Sequence, residues 1–362
     1  MKIILTVLSL VNIILVKFRN IKKSNYFIID SSTKDIDQRS LNYIDRRSLN
    51  STFNLIRTAR IDLRVFFNIL KIPNFFCFTI FQNFFLKKLN KKRFFLFLKS
   101  ILNYLSIKKL ILIDDSRELI FFSKISKSLN IKNLVYMHGR FSSNSKIIPK
   151  ITFSKYLVWS NFFKEQLLKS NRSFNEKDII VVGSPYLNNF KKKKKNTIKI
   201  LNCLILDEDF VDFKKVKKYY SKFTKNNKKN IYFKKKITRK IPKNFLEICK
   251  KKNIHIIKEK KNLGSIIKTY NIDCVIASTS TGLLEASYYN TVPIKINSKN
   301  KIRENEFNIF VKNKFVYNSS EKNFSSILNR NYKRKNLIDI KSKLWGYQKF
   351  EKHKTKKIIG NF

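Results

Sequence analysis

The stretch Ser278-Thr279-Ser280-Thr281-Gly282 joins an apolar run, Cys274 to Ala277, to a helical pattern beginning at Leu283. Hydroxyls beside backbone amides at a helix start, where the dipole is positive, make a pocket for an anion such as a nucleotide's phosphates. Glu285, read in the first turn, is placed to accept hydrogen bonds from ribose hydroxyls; Gly282 and Glu285 also suit simple helix capping. A second candidate, His138-Gly139-Arg140, closes the apolar run Leu134 to Met137. A histidine at a strand end can take a proton from an attacking hydroxyl, and Arg140 can bind phosphate or carboxylate. The competing reading is a structural loop histidine. Asp114 and Asp115 close the neighbouring run Leu110 to Ile113 and are the alternative base, or else a solvated turn pair. The acidic cluster Asp207-Glu208-Asp209, with Asp212, is expected to cap a helix through Asp209 and Asp212. Glycine is scarce, at 6 residues, yet Gly139, Gly183 and Gly282 each follow an apolar run. Such places need a sharp turn or a close approach of backbone to ligand. Gly183 opens the turn Gly183-Ser184-Pro185.

The elements that must carry these residues are short apolar runs ending in polar or turn residues. In the first half they are Tyr26 to Ile29, Leu110 to Ile113, Leu134 to Met137, Tyr156 to Trp159 and Ile179 to Val182. Helical stretches, Glu118 to Leu129 and Asn161 to Ser170, separate them. Five consecutive lysines, Lys191 to Lys195, cannot enter a core and mark a linker. The pattern then restarts with strands at Ile198 to Leu206, Ile231 to Phe233, His255 to Ile257, Cys274 to Ala277 and Val292 to Ile296. Helices are expected at Val211 to Thr224, Phe245 to Lys252, Leu263 to Tyr270 and Leu283 to Tyr289. Alternation with short connections predicts an α/β fold: two Rossmann-like domains with mostly parallel sheets, facing a cleft at the strands' carboxyl ends. The boundaries read as 1–193, 194–340 and a basic helix or tail over 341–362. The stretch from Phe66 to Leu105, rich in Phe and broken by lysines, reads as basic amphipathic helices, either core or interfacial. Met1 to Val16 is apolar but too short to span a bilayer, and is expected to be a buried first element or a membrane-surface helix.

The 362 residues carry 78 Lys plus Arg against 24 Asp plus Glu, a net charge of +54. Lysine enrichment matches the residue usage of an AT-rich genome, but the scarcity of acids goes further and favours polyanionic partners. The charge is spread along the chain instead of concentrated on one element, and no helix-turn-helix, zinc-finger or RNP signature occurs. An anionic membrane surface and phosphate-bearing ligands are therefore expected before nucleic acid. The 4 cysteines, Cys77, Cys203, Cys249 and Cys274, form no CxxC pair and read as reduced core thiols. With 3 histidines besides, no metal site is expected.

Three stretches, "LILIDDSRELIFFSKISKSLNIKNLVYMHGR", "YLVWSNFFKEQLLKSNRSFNEKDIIVVGSPYLNNF" and "DCVIASTSTGLLEASYYNTVPIKI", resemble surface-carbohydrate and capsule biosynthesis glycosyltransferases of the GT-B superfamily. They also resemble, more distantly, the CDP-glycerol glycerophosphotransferases. The resemblance covers residues 108 to 298. It implies that His138 and Gly139 lie at an active site, that Gly183, Ser184 and Pro185 form a cleft turn, and that Ser278 to Ser280 with Glu285 engage the donor nucleotide. It further implies a first domain for acceptor and a second for donor, with a nucleotide-sugar as substrate and no cofactor. The Lys-x-His-Pro element of such families is replaced here by "IYFKKKITRKIP", which retains Lys234 and Lys236 for phosphate but lacks the histidine. The D-x-D of the acidic cluster is similar to the metal site of GT-A glycosyltransferases, although helix capping accounts for it better. The expected activity is metal-independent sugar transfer to a surface polysaccharide or lipopolysaccharide at the cytoplasmic membrane face. A CDP-alcohol phosphotransferase, a nucleotide-sugar epimerase and a non-enzymatic nucleic-acid-binding protein remain as alternatives.

Overall fold

The alternating runs fold into two parallel sheets in a computed structural model that describes residues 26–30, 54–57, 75–77, 108–113, 118–137, 139, 141–146, 148–185, 187, 196–208, 229–235, 241, 243–251, 253–258, 261–298, 300–320, 322–346 and 350–362. The first sheet comprises β1 (Tyr26–Asp30), β2 (Asn54–Arg57), β3 (Phe75–Cys77), β4 (Lys109–Ile113), β5 (Lys132–Tyr136), β6 (Lys155–Val158) and β7 (Ile179–Val181). Helix α1 (Glu118–Ser128) connects β4 to β5, and α2 (Asn161–Ser170) follows β6. Its strand order is β3-β2-β1-β4-β5-β6-β7, and each neighbouring pair runs parallel.

The second sheet repeats the plan. It holds β9 (Asn202–Leu206), β10 (Asn230–Lys234), β11 (His255–Ile257), β12 (Cys274–Ala277), β13 (Val292–Lys295) and β14 (Tyr317–Asn318) in the order β11-β10-β9-β12-β13-β14. The intervening helices are α3 (Lys243–Lys251), α4 (Leu263–Thr269), α5 (Thr281–Tyr288) and α6 (Lys301–Lys312). In each sheet the order reverses beside the first strand, between β1 and β4 and between β9 and β12, and ligands bind doubly wound sheets outside the carboxyl ends at such a reversal. Strands covered by helices on both faces must be apolar throughout. Leu110, Ile111, Val135, Tyr156 and Val158 in one sheet and Cys203, Leu204, Val275 and Ile294 in the other are accordingly fully buried.

Asparagine does the work of glycine at the helix ends. Asn130, Asn253, Asn271 and Asn290 follow α1, α3, α4 and α5 with φ of 52°, 50°, 47° and 52°. The next residue in each case donates back five positions, as Ile131 N does to Ser126 O at 2.8 Å and Ile272 N to Ile267 O at 3.0 Å. This is the Schellman arrangement, with asparagine at the left-handed position that it tolerates better than other non-glycine residues. Each such turn leads directly into the next parallel strand.

Two expectations need correction. The single strand expected from Ile198 to Leu206 is broken. Thr197–Ile198 (β8) leaves to pair antiparallel with Tyr332–Lys333 (β15). The amides of Leu201 and Asn202 both donate to Asp273 Oδ2 at 3.0 Å, which interrupts the ladder before β9. The helical reading of Phe66 to Leu105 fails at β3, which pairs in register with β2, Leu55 opposite Phe75. Pro73-Asn74 before it is a helix-ending sequence, and Phe-Phe-Cys favours a pleated surface. The remainder of that segment, the expected helix Val211 to Thr224, the Lys191 to Lys195 linker and the stretch Met1 to Val16 lie outside the described residues.

The segment over 341–362 docks instead of trailing. Helices α7 (Phe324–Asn329), α8 (Arg334–Trp345) and α9 (Lys352–Asn361) complete the chain. Trp345, at the end of α8, stacks on Trp159 of the first half with ring centroids 5.8 Å apart and planes at 24°. Its indole N–H donates to Leu284 O at 3.1 Å and Ser287 Oγ at 3.2 Å, both on α5. Ser160 Oγ donates to Leu344 O at 2.6 Å, and Glu351 N to Val182 O at 3.2 Å. Phe162 of α2 meets Phe310 and Phe315 of the second half at 5.8 and 5.0 Å. An aromatic seam thus joins the halves. Among the described residues, no helix is long and apolar enough to cross a membrane.

Candidate functional site

The turn Ser278 to Gly282 lies at the carboxyl end of β12, on the strand reversal of the second sheet. Ser280 is the N-cap of α5, its Oγ accepting from Gly282 N at 3.1 Å. Gly282 is therefore the second helical residue and not the cap, and Glu285 stands in the second turn, one turn further in than its sequence position suggested. Gly282 is needed for packing: a Cβ there would stand 2.6 Å from Leu206 Cδ1 at the end of β9. The glycine lets the helix start sit directly on the first strand of the sheet.

Glu208, two residues beyond β9, supplies what the sequence did not reveal. Its carboxylate accepts from Ser278 N at 3.2 Å, from Thr279 N at 3.2 Å, and from the Ser278 hydroxyl. The first two amides of the turn, expected to be open, are thus held by an internal carboxylate. Ser278 and Thr279 are buried, at 1% and 3% exposure, whereas Ser280, Thr281, Gly282 and the covering Glu208 are half-buried. The expected cap, Asp209 with Asp212, lies outside the described residues; Asp207 is buried, and its N–H donates to Lys234 O at 3.0 Å.

The opposite wall belongs to the first half. A Cβ built on Gly139 would lie 3.7 Å from Thr281 Oγ1, so the loop after β5 meets the first residue of α5. That loop is fastened on both sides. Met137 N donates to Leu157 O at 2.9 Å, and the Trp159 indole donates to Met137 O at 3.1 Å. Beyond it, Phe141 packs on Phe163 at 5.6 Å, and buried Gln166 of α2 accepts from Ser143 N at 3.2 Å and Ser143 Oγ at 3.0 Å. Asn144 Nδ2 reaches across to Asn305 O of α6 at 3.2 Å. Gln166 is a supporting residue that sequence reading missed, because nothing in a helical pattern marks one polar position as inward. His138, Arg140, Asp114 and Asp115 lie outside the described residues.

Lys234 ends β10 beside Leu206, on the same carboxyl edge, where its ammonium donates to Lys261 O at 2.5 Å. Lys236 lies outside the described residues. Gly183, with φ of 80°, turns the chain after β7, and Ser184 beneath it is buried. Beside this turn Leu187 N donates to Ser184 O at 3.4 Å, and Glu351 N of the C-terminal segment donates to Val182 O. Gly183, Ser184 and Pro185 are thereby placed beside that segment. Buried Lys295, opposite Ala277 in β13, forms an ion pair with Glu304 of α6. Among the described residues no group of three or more His, Cys, Asp or Glu side chains could hold a metal ion. Cys203, Cys249 and Cys274 are buried free thiols.

No known family model matches the chain, and no curated protein matches it in sequence. Solved structures do. The lipopolysaccharide outer core galactosyltransferase WaaB is 15% identical with a TM-score of 0.55, over 93% of this chain and 99% of that one. MurG of Acinetobacter baumannii is 10% identical with a TM-score of 0.59, over the same shares, 93% and 99%. The UDP-GlcNAc 2-epimerase of Methanocaldococcus jannaschii, in complex with UDP-GlcNAc and UDP, is 15% identical with a TM-score of 0.53, over 93% and 98%. At such identities the likeness speaks to architecture, and with the two reversed strand orders it gives a fold of two Rossmann-like domains of the GT-B type.

Proposed function

We propose that the protein is a GT-B glycosyltransferase that moves a sugar from a nucleotide-sugar donor to a surface polysaccharide or lipopolysaccharide acceptor. The observation that carries this reading is the approach of Gly139 to Thr281, which sets the loop of the first half against the hydroxyl-rich turn of the second. In this scheme the donor phosphates bind at Ser278 to Gly282, assisted by Lys234 or Lys236, and Glu285 accepts from the ribose. His138, or Asp115 in its place, takes the proton of the acceptor hydroxyl. The transfer is inverting and uses no metal: helix dipole and lysine charge stabilise the leaving diphosphate. The galactosyltransferase among the structural neighbours supports this class of chemistry. The net charge of +54 supports work at an anionic membrane face, with a lipid-linked or glycan acceptor.

The test is a thermal-shift screen of the purified chain against UDP-, GDP-, CMP-, CDP- and dTDP-linked donors, with DNA, RNA and anionic liposomes as controls. A ligand bound only by the native state stabilises it, by roughly 2.7 kcal/mol at a hundredfold excess over Kd. Stabilisation by one nucleotide family, lost in Ser280→Ala and Glu285→Ala, together with turnover lost in His138→Ala, is the expected result. Response to nucleic acid alone, steeply weakened by salt, would overturn the reading. The UDP-GlcNAc 2-epimerases among the structural neighbours support a second reading, nucleotide-sugar epimerisation, which needs no acceptor. Incubating the identified donor without acceptor separates the two, since only an epimerase converts it to an isomeric nucleotide-sugar. A CDP-alcohol phosphotransferase differs by its donor, which the CDP arm of the screen detects.

A further inference from the structure

The turn at Ser278 already holds an anion, and that anion is part of the chain. Glu208 reaches it from the far side of the strand reversal, seventy positions earlier in sequence, and satisfies the amides of Ser278 and Thr279 together with the Ser278 hydroxyl. Both carboxylate oxygens are used, since Thr279 N lies 3.2 Å from each. A planar group with two oxygens and one negative charge occupies these donors. It is also the more exposed member of the contact: Ser278 and Thr279 are buried beneath it, and Glu208 is half-buried.

Two anions cannot share these amides. Their like charges would repel, and the donors they compete for are few. Resting on the reading that donor phosphates bind this turn, we propose that Glu208 is a built-in competitor. A nucleoside diphosphate reaches Ser278 and Thr279 only by displacing its carboxylate, so Glu208 sets donor affinity and keeps the cradle closed when no donor is present. Displacement requires movement of one side chain at a strand end, with no change in either sheet.

Titration calorimetry of the full chain with UDP, GDP, CDP and dTDP, on wild type, Glu208→Gln and Glu208→Ala, tests this directly. Removing the competitor should tighten binding of the responding nucleoside diphosphate by roughly tenfold or more in Glu208→Ala, the scale of one charge-assisted hydrogen bond. Glu208→Gln, with a neutral oxygen still able to accept, should fall between. The matching nucleoside, which has no phosphate, should bind all three forms alike. Binding that is unchanged or weaker in both variants would overturn the proposal while leaving the donor site intact, as would equal tightening of the nucleoside. Failure of every form to bind any nucleoside diphosphate would instead remove the donor reading and this inference with it. Glu208→Gln preserves side-chain size and answers the question should Glu208→Ala fail to fold.

Discussion

Gly282→Ala is a substitution whose effect follows from two distances. The added Cβ would stand 2.6 Å from Leu206 Cδ1 and 3.3 Å from Ser280 Oγ, the first nearly an ångström inside ordinary contact. Leu206 is 8% exposed and cannot swing into solvent, so its side chain must repack within the core or β9 or the start of α5 must yield. Overpacking of this kind costs about 1–3 kcal/mol. The gain from replacing glycine within a helix offsets about 0.5–1 kcal/mol of it, which leaves a net loss of up to about 2.5 kcal/mol. Leu206→Ala alone should cost about 2–5 kcal/mol as a buried truncation. It also clears the space that the new methyl needs, so the double variant should be more stable than the two separate losses imply, by about 1–2 kcal/mol. Urea unfolding of the four proteins, followed by far-UV circular dichroism, measures that coupling. Strict additivity would refute the claim that the glycine exists to let α5 rest on β9. The same shift moves the turn's hydroxyls, so donor affinity should fall in Gly282→Ala and recover partly in the double variant.

Three further outcomes are expected. Glu304→Gln leaves Lys295 buried without its counter-charge and should cost about 2–4 kcal/mol, whereas Lys295→Met should be neutral or mildly stabilising in the same denaturant assay. Gln166→Leu removes the acceptor for Ser143 N and Oγ; it should cost about 1–2 kcal/mol and speed amide exchange across 139–146, read by hydrogen-exchange mass spectrometry. Burial pushes the Cys249 thiol from 9.0 up to about 11. Its folded-state pKa lies above the unfolded value, so this contribution to stability is whole below pH 9 and is lost as pH rises through 11. The urea midpoint should fall over that window in wild type and fall less in Cys249→Ala, and native Cys249 should resist iodoacetamide at pH 8.

What the sequence made legible were features written locally. The parallel strands announce themselves as apolar runs because both faces are covered, and Tyr26, Leu110, Tyr156 and Cys274 all fall within the strands expected of them. The helix ends were legible too, had asparagine been read for glycine: Asn130-Ile131, Asn253-Ile254 and Asn271-Ile272 each place an apolar residue after the left-handed one. The break between β8 and β9 was hidden because its cause, Asp273, lies 71 positions beyond Asn202. Glu208 was hidden for the same reason, since an acid among acids after a strand looks like a cap until its partner strand is known. β3 was lost among Phe-rich neighbours, where periodicity alone does not separate a short strand from a helix.

The chain contains only 2 tryptophans, and they stack on one another across the seam. Its tryptophan emission therefore originates at a single point, the junction of the two halves, and the indole pair is close enough for its transitions to couple. Ligand-driven rotation of one half about this junction would change ring overlap and with it the coupled near-ultraviolet dichroism, with no label attached. A donor that alters that signal would show the halves turning across the tryptophan pair; a donor that closes the protein while leaving it constant would show the two indoles moving as one body. The molecule carries its own protractor.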